Sequence, residues 1–228
     1  MDEIQVWVNH YLPYLKLKTL GIETVNTLYM TFASGALSCI LGILIGVFLF
    51  LTAKDGEKEN LNVYRALSFT VNIFRAVPFI ILIILLFPVT KWLVGTILGV
   101  NAALPALVIS ASAFYARLVE LALREVDKGV IEASRAMGAG TYRLIFNVLI
   151  PESSPALISG LTVTLISLVG GTAVAGAIGA GGLGNLAYME GFQRSHMDVV
   201  WAATLVILAL VLCIQVTGDQ LVRWIDKR

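Results

Sequence analysis

Cysteine is scarce in this sequence: Cys39 and Cys213 are the only two in 228 residues. Both lie inside long apolar runs, where a free thiol packs as a small hydrophobe, so a disulfide framework or a zinc site lacks material. Charge is scarce as well. Charged residues make up 14% of the chain and the net charge is +1, which leaves no basic stripe to hold nucleic acid. A Gly-rich loop ending in Gly-Lys-Ser/Thr, the arrangement that cradles ATP phosphates, is missing. Residues 1–18 carry early acids and no short apolar run before a small-residue cleavage site, so they do not read as a removable signal. They read as an amphipathic lead-in, with Val6, Trp7, Tyr11, Leu12, Tyr14 and Leu15 suited to a membrane interface.

What the chain has in excess is apolar surface. Hydrophobic residues reach 58% and the mean hydropathy is +0.86. A water-soluble domain must cover itself with polar groups, and a bilayer removes that requirement. A spanning helix needs about 17–25 mostly apolar residues. Five stretches meet that length, at about 27–51, 67–90, 102–123, 156–177 and 199–217, which predicts an all-α integral membrane protein of one domain, 1–228. An odd number of spans puts the termini on opposite sides and rules out an internal repeat covering the whole chain. A path on a two-fold axis therefore needs a second copy or a sister subunit.

The basic residues set the orientation, because short cytoplasmic loops are enriched in Lys and Arg. Of 16, twelve fall on one side: Lys54, Lys58, Arg65, Arg75, Arg117, Arg124, Lys128, Arg135, Arg143, Arg223, Lys227 and Arg228. Lys16, Lys18, Lys91 and Arg194 fall on the other. This places the N-terminus outside and the C-terminus in the cytoplasm.

The longest cytoplasmic connection, 124–151, is built differently. Val126, Val130, Ala133 and Met137 recur at helical spacing, while Lys128, Glu132 and Arg135 lie on another side within pairing distance of one another. Gly138 and Gly140 stop this helix, and a second short helix, 141–150, ends at Pro151. By geometry alone the hairpin is either a tidy connector or a rigid knob for a partner.

Glu132-Ala133-Ser134, then Gly138, then Ile150-Pro151 resembles the loop by which ABC importer permeases dock on their ATPase, Glu-Ala-Ala, Gly and a later Leu-Pro. Ser134 stands for the third alanine and Ile150 for the leucine. Phe74-Arg75-Ala76-Val77-Pro78 looks like the second-span entry of amino-acid importers. The stretches 131–139 and 179–184 look like the methionine-importer branch of these type I permeases. The resemblance implies that Glu132, Ala133, Ser134, Ala136, Met137, Gly138, Ala139, Tyr142 and Pro151 form the coupling loop. It also implies a homodimer, two ABC ATPase subunits that use ATP and magnesium, an external substrate-binding lipoprotein and a bacterial cytoplasmic membrane. No cofactor is expected on this chain. A permease for another small amino acid remains an alternative, as does a channel or structural subunit.

Other residues have competing readings. Gly179, Gly181 and Gly184 formally match a dinucleotide fingerprint, which needs a preceding strand; after a span the glycines read instead as backbone freedom where a helix unwinds, and the family resemblance implies that Gly179, Gly181, Gly182 and Gly184 border an outer gate. Arg75, alone in its span, is either functional or an anchor snorkelling to the cytoplasmic face. Arg117 and Glu120, one turn apart, should pair. Pro78, Pro88 and Pro105 can kink spans. Among the hydroxyls at 110, 112, 162, 164, 167 and 172, Ser112, Thr164 and Ser167 are candidates for a substrate path, against the alternative of helix packing. Gly35, Gly42 and Gly46 form a small face for close helix approach. Intramembrane proteolysis would need paired carboxylates or a base beside a nucleophile, and a gradient-driven carrier would need deep acids or histidines. The spans supply neither.

Overall fold

The computed structural model describes residues 14–226, and the regular structure in them is helical. Val6, Trp7, His10, Tyr11, Leu12, Lys227 and Arg228 lie outside the described residues. In chain order the helices are α1 (Leu17–Thr52), α2 (Leu61–Ala76), α3 (Phe79–Leu85), α4 (Phe87–Val94), α5 (Val100–Arg124), α6 (Lys128–Ala136), α7 (Thr141–Leu144), α8 (Ser154–Ala175), α9 (Gly182–Asn185) and α10 (Met197–Ile225). π-helical turns follow α7, α8 and α9, at Ile145–Leu149, Gly176–Ala180 and Leu186–Phe192.

Among the described residues, four helical segments are long and apolar enough to cross a membrane. The pair α2 and α3, bent by 107°, meets the same length and composition test when taken together, which makes five with the pair taken as one span. Hydrocarbon offers the backbone no hydrogen bonds, so apolar stretches of this length fold as helices that satisfy themselves. The second span departs from the expected continuous helix over 67–90. Val77 is extended (φ −70°, ψ 124°) ahead of Pro78, whose ring disfavours helical geometry in the residue before it and removes an N–H donor. Hydropathy cannot register that break, because both arms are apolar.

Helix α1 starts ten residues before the expected boundary of 27, at Leu17. Its 36 residues extend about 54 Å at 1.5 Å per residue, more than the ~30 Å of hydrocarbon. Lys18 and Glu23 end the apolar window without ending the helix. Helix α10 likewise runs past 217 to Ile225. Exposed Trp201 and Trp224 lie near its two ends, about 35 Å apart by helical rise, the separation expected of two interfacial anchors. Leu205, Leu208, Leu212 and Val216 are exposed between them, an apolar strip on the outside of the chain.

The core sits where α1, α5 and α8 meet. A Cβ placed on Gly42 would lie 2.6 Å from Tyr115 Cδ1, and one on Gly46 2.6 Å from Val119 Cβ, so these glycines let α1 rest directly on α5. Gly35 does the same against Leu165 of α8. Tyr115 is buried and its hydroxyl donates to the Leu157 carbonyl at 3.0 Å, which joins α5 to α8. Leu15, expected at the lipid interface, is instead buried with Leu183, Leu186, Val199 and Ala203.

Candidate functional site: a helical knob, a mid-span cavity and a glycine turn

At one end of the bundle, α6 and α7 form a two-helix knob. Asp127 caps α6 by accepting the Gly129 N–H at 2.6 Å. The other end closes on Gly138 (φ +81°). The Gly138 N–H reaches the Arg135 carbonyl at 2.8 Å and the Ala139 N–H reaches the Ser134 carbonyl at 3.1 Å. This is the paired left-handed cap that glycine adopts at low cost. Val126, Leu144 and Leu149 root the knob in one cluster with Tyr115, Val119 and Leu123 of α5.

The apolar stripe divides. Val126 is buried, but Val130, Ala133 and Met137 face outward, Met137 at 83% exposure. Tyr142, 72% exposed, stacks obliquely on exposed Phe146 with ring centroids 4.6 Å apart. The side of α6 that packs on the body carries Ile131 and Ser134 instead, and this explains the serine: a small side chain fits where the helix meets the bundle. Among the described residues, Arg135 pairs not with Glu132 but with Glu57 of the 53–60 loop, at 3.9 Å. Glu57 also accepts the Thr141 hydroxyl at 3.0 Å, so that loop braces the elbow.

Pro151, expected to end the second helix, does not. The chain stays helical through Ile150–Glu152 to Ser153. The wide turn before it bonds the Ile150 N–H to the Ile145 carbonyl, a five-residue step that accommodates a proline lacking its own donor.

Above the knob, Glu120 is 1% exposed and accepts from Arg117 at 2.5 Å, Arg124 at 2.8 Å and the Tyr64 hydroxyl at 3.2 Å. The spacing-predicted pair is present, and the carboxylate also ties α2 to α5.

Between α2, α3, α5 and α8 lies a cavity of about 500 Å³. Arg75, Ser110, Phe114, Thr164 and Ser167 are on its wall. Positions 110–114 straddle the middle of α5 and 164–168 the middle of α8, so the cavity is at mid-helix height, with exposed Arg75 on its wall. Arg75 is in the last turn of α2, inside a helix and not in a loop. Ser112 is off the wall and buried, with its Oγ unpartnered. Two residues on from Ser110 is a rotation of about 200°, to the far side of α5. The Thr164 hydroxyl donates to the Gly160 carbonyl at 2.7 Å.

At the end of the bundle away from the knob, the chain reverses through Gly179, Gly181 and Gly182, with φ of +99°, +83° and +82°. A helix precedes this turn where a dinucleotide site needs a strand. The Glu23 carboxylate accepts the Gly182 N–H at 2.5 Å, and the Thr27 hydroxyl accepts the Leu183 N–H at 2.8 Å. Gly184 packs against the Ala173 backbone.

The family model for the inner membrane component of binding-protein-dependent transport systems matches residues 40–228. The chain belongs to this family. It is thus a membrane component of a transport system and not an enzyme. It is 58% identical over 218 residues to the methionine import system permease protein MetP of Bacillus subtilis, covering 96% of this chain and 98% of that one. It is 44% identical over 209 residues to the probable D-methionine transport system permease protein MetI of Pasteurella multocida, covering 92% and 96%. A solved structure of the inward-facing MetNI methionine ABC transporter superposes over 100% of both chains, with a TM-score of 0.89 at 40% identity.

Within this binding-protein-dependent permease, Glu132, Ala133, Ala136, Met137, Gly138 and Tyr142 are together on the outer surface of the knob. Ser134 is buried, Ala139 half-buried, and Pro151 exposed where the knob joins α8. Glu23, Thr27 and Glu57 are the contact positions at the glycine turn and the knob that motif and spacing pass over. Glu23 and Thr27 do carry a signal, an acid and a hydroxyl one turn apart where the uncharged run begins. Glu57 carries none. Among the described residues no group of three His, Cys, Asp or Glu side chains could hold a metal ion.

Proposed function

We propose that the chain is the permease subunit of an ATP-driven methionine importer in a bacterial cytoplasmic membrane. The supporting observation for the substrate is the 58% identity to a methionine import permease, spread over 96% of the chain. The outward-facing Val130, Met137 and Tyr142 support the mode of coupling, because an apolar patch on a rigid knob is a partner surface.

Two copies enclose the path, with the N-terminus outside and the knob in the cytoplasm. Each knob docks on an ATPase subunit that binds ATP and magnesium, and a substrate-binding lipoprotein delivers methionine to the outer face. Closure of the ATPase pair moves the knobs, and α5, packed with α6 in one cluster, carries that motion into the membrane. The 107° bend in the second span and the glycine turn are the places where the path changes shape.

The test is reconstitution with the cognate ATPase and binding protein in proteoliposomes. Uptake of labelled methionine that requires ATP and is competed by excess methionine is the expected result. ATP-dependent uptake of a different solute alone would keep the permease and reject the substrate. Absence of any ATP-dependent flux would favour a channel or structural subunit.

A further inference from the structure

We propose that the Arg75 guanidinium binds the carboxylate of the amino acid as it occupies the mid-span cavity, an inference that rests on the chain being an amino-acid permease. A cation inside a spanning segment is costly unless something answers its charge. The arginines at the knob end of α5, Arg117 and Arg124, share the buried carboxylate of Glu120. Arg75 has no ion pair among the described residues, and its position at the bend turns it into the cavity. Its counter-charge is then a group that comes and goes.

The cavity suits an amino acid with an apolar side chain. Ser110 and Ser167 offer hydroxyls on the same cavity wall, while Phe114, Leu107 and Leu168 supply an apolar one. The bend adds a polar element of opposite sign. Pro78 has no N–H to give the Phe74 carbonyl, and Arg75 lies in the last turn of α2, where helix carbonyls lack partners and favour a positive group. An α-carboxylate on the guanidinium and an α-ammonium towards those carbonyls would leave the side chain over the apolar wall. A guanidinium grips a carboxylate with two parallel hydrogen bonds, which a lysine cannot reproduce.

The experiment uses the permease assembled with its ATPase in lipid nanodiscs, without the binding protein, so that the cavity alone selects. Equilibrium binding of labelled methionine is measured in competition with methionine and with methioninol, which has a hydroxymethyl group in place of the carboxylate. Wild type should bind methionine at least about tenfold better than methioninol, a step of ~1.4 kcal/mol. Arg75→Met should lose that preference, and Arg75→Lys should recover part of it. Elution as an intact complex shows that each variant is assembled. Carboxylate-dependent binding by Arg75→Met equal to that of wild type would overturn the proposal and leave the permease standing. A wild-type complex that binds no amino acid at all would also overturn the proposal, while the permease reading would still stand or fall on the uptake experiment.

Discussion

The Glu23 carboxylate on α1 accepts the Gly182 N–H across 159 positions of sequence, at 2.5 Å. One helical turn on, the Thr27 hydroxyl accepts the next amide, Leu183, at 2.8 Å. Two consecutive side chains of one helix face thus hold two consecutive amides of the glycine turn. The approach is close because Gly182 has no Cβ, which would lie 2.8 Å from Thr27 Oγ1 and 2.9 Å from Met30 Cε.

Thr27→Val keeps the shape of the side chain and removes the acceptor. A buried amide left without its partner costs about 1–3 kcal/mol. Amide exchange at Leu183 in the solubilised complex should accelerate, while exchange in the middle of α5 stays as in wild type. Unchanged protection at Leu183 would mean that the hydroxyl does not hold the turn.

The cap at Gly138 yields a graded pair of variants. Open space surrounds this glycine, so Gly138→Ala meets no clash and bears only the left-handed strain, about 1–2 kcal/mol. Gly138→Asp adds a charge beside exposed Met137. Both should insert and fold, with ATPase retention on co-purification falling modestly for alanine and severely for aspartate. Full retention by the aspartate variant would make the knob a mere connector.

Glu120 is the buried hub for two arginines and a tyrosine. Glu120→Ala strands all three donors, but both guanidinium groups reach water, so the loss should be about 2 kcal/mol, below that of a fully buried pair. Thermal unfolding in detergent should show a lower midpoint, with Glu120→Gln in between. A midpoint equal to wild type would show that the carboxylate is dispensable.

Orientation is open to chemistry. In a background of Cys39→Ala and Cys213→Ala, Thr96→Cys should react with an impermeant thiol reagent on intact cells. Lys58→Cys should react only after permeabilisation. The reverse pattern would put the knob on the wrong side for an ATPase.

Local signals were legible in the sequence wherever the structure obeys local physics. The apolar runs of α5 and α8, the Gly138 cap and the Arg117–Glu120 pair all follow from spacing a turn or two long. The bend at Val77–Pro78 was not, because hydropathy integrates over both arms and proline alone does not set an angle. Nor was the direction of the Val130–Met137 stripe, since an apolar stripe reads alike whether it meets the protein's own core or a partner. Ser112 and Ser110 differ only in which side of α5 they occupy, and no residue near them announces where the cavity lies. The Glu23 and Thr27 contacts join chain segments that only folding brings together.

The unbroken length of α1 has a mechanical consequence. Gly42 and Gly46 seat its knob-side half on α5, and Glu23 and Thr27 grip the glycine turn at its other end. From Gly46 to Glu23 is 23 residues, about 35 Å of helix with no proline and no widened turn to absorb a displacement. The helix therefore acts as a strut rather than a hinge. On the proposed coupling, a push on α5 would arrive at the far turn as a translation, and bending would be left to the jointed second span.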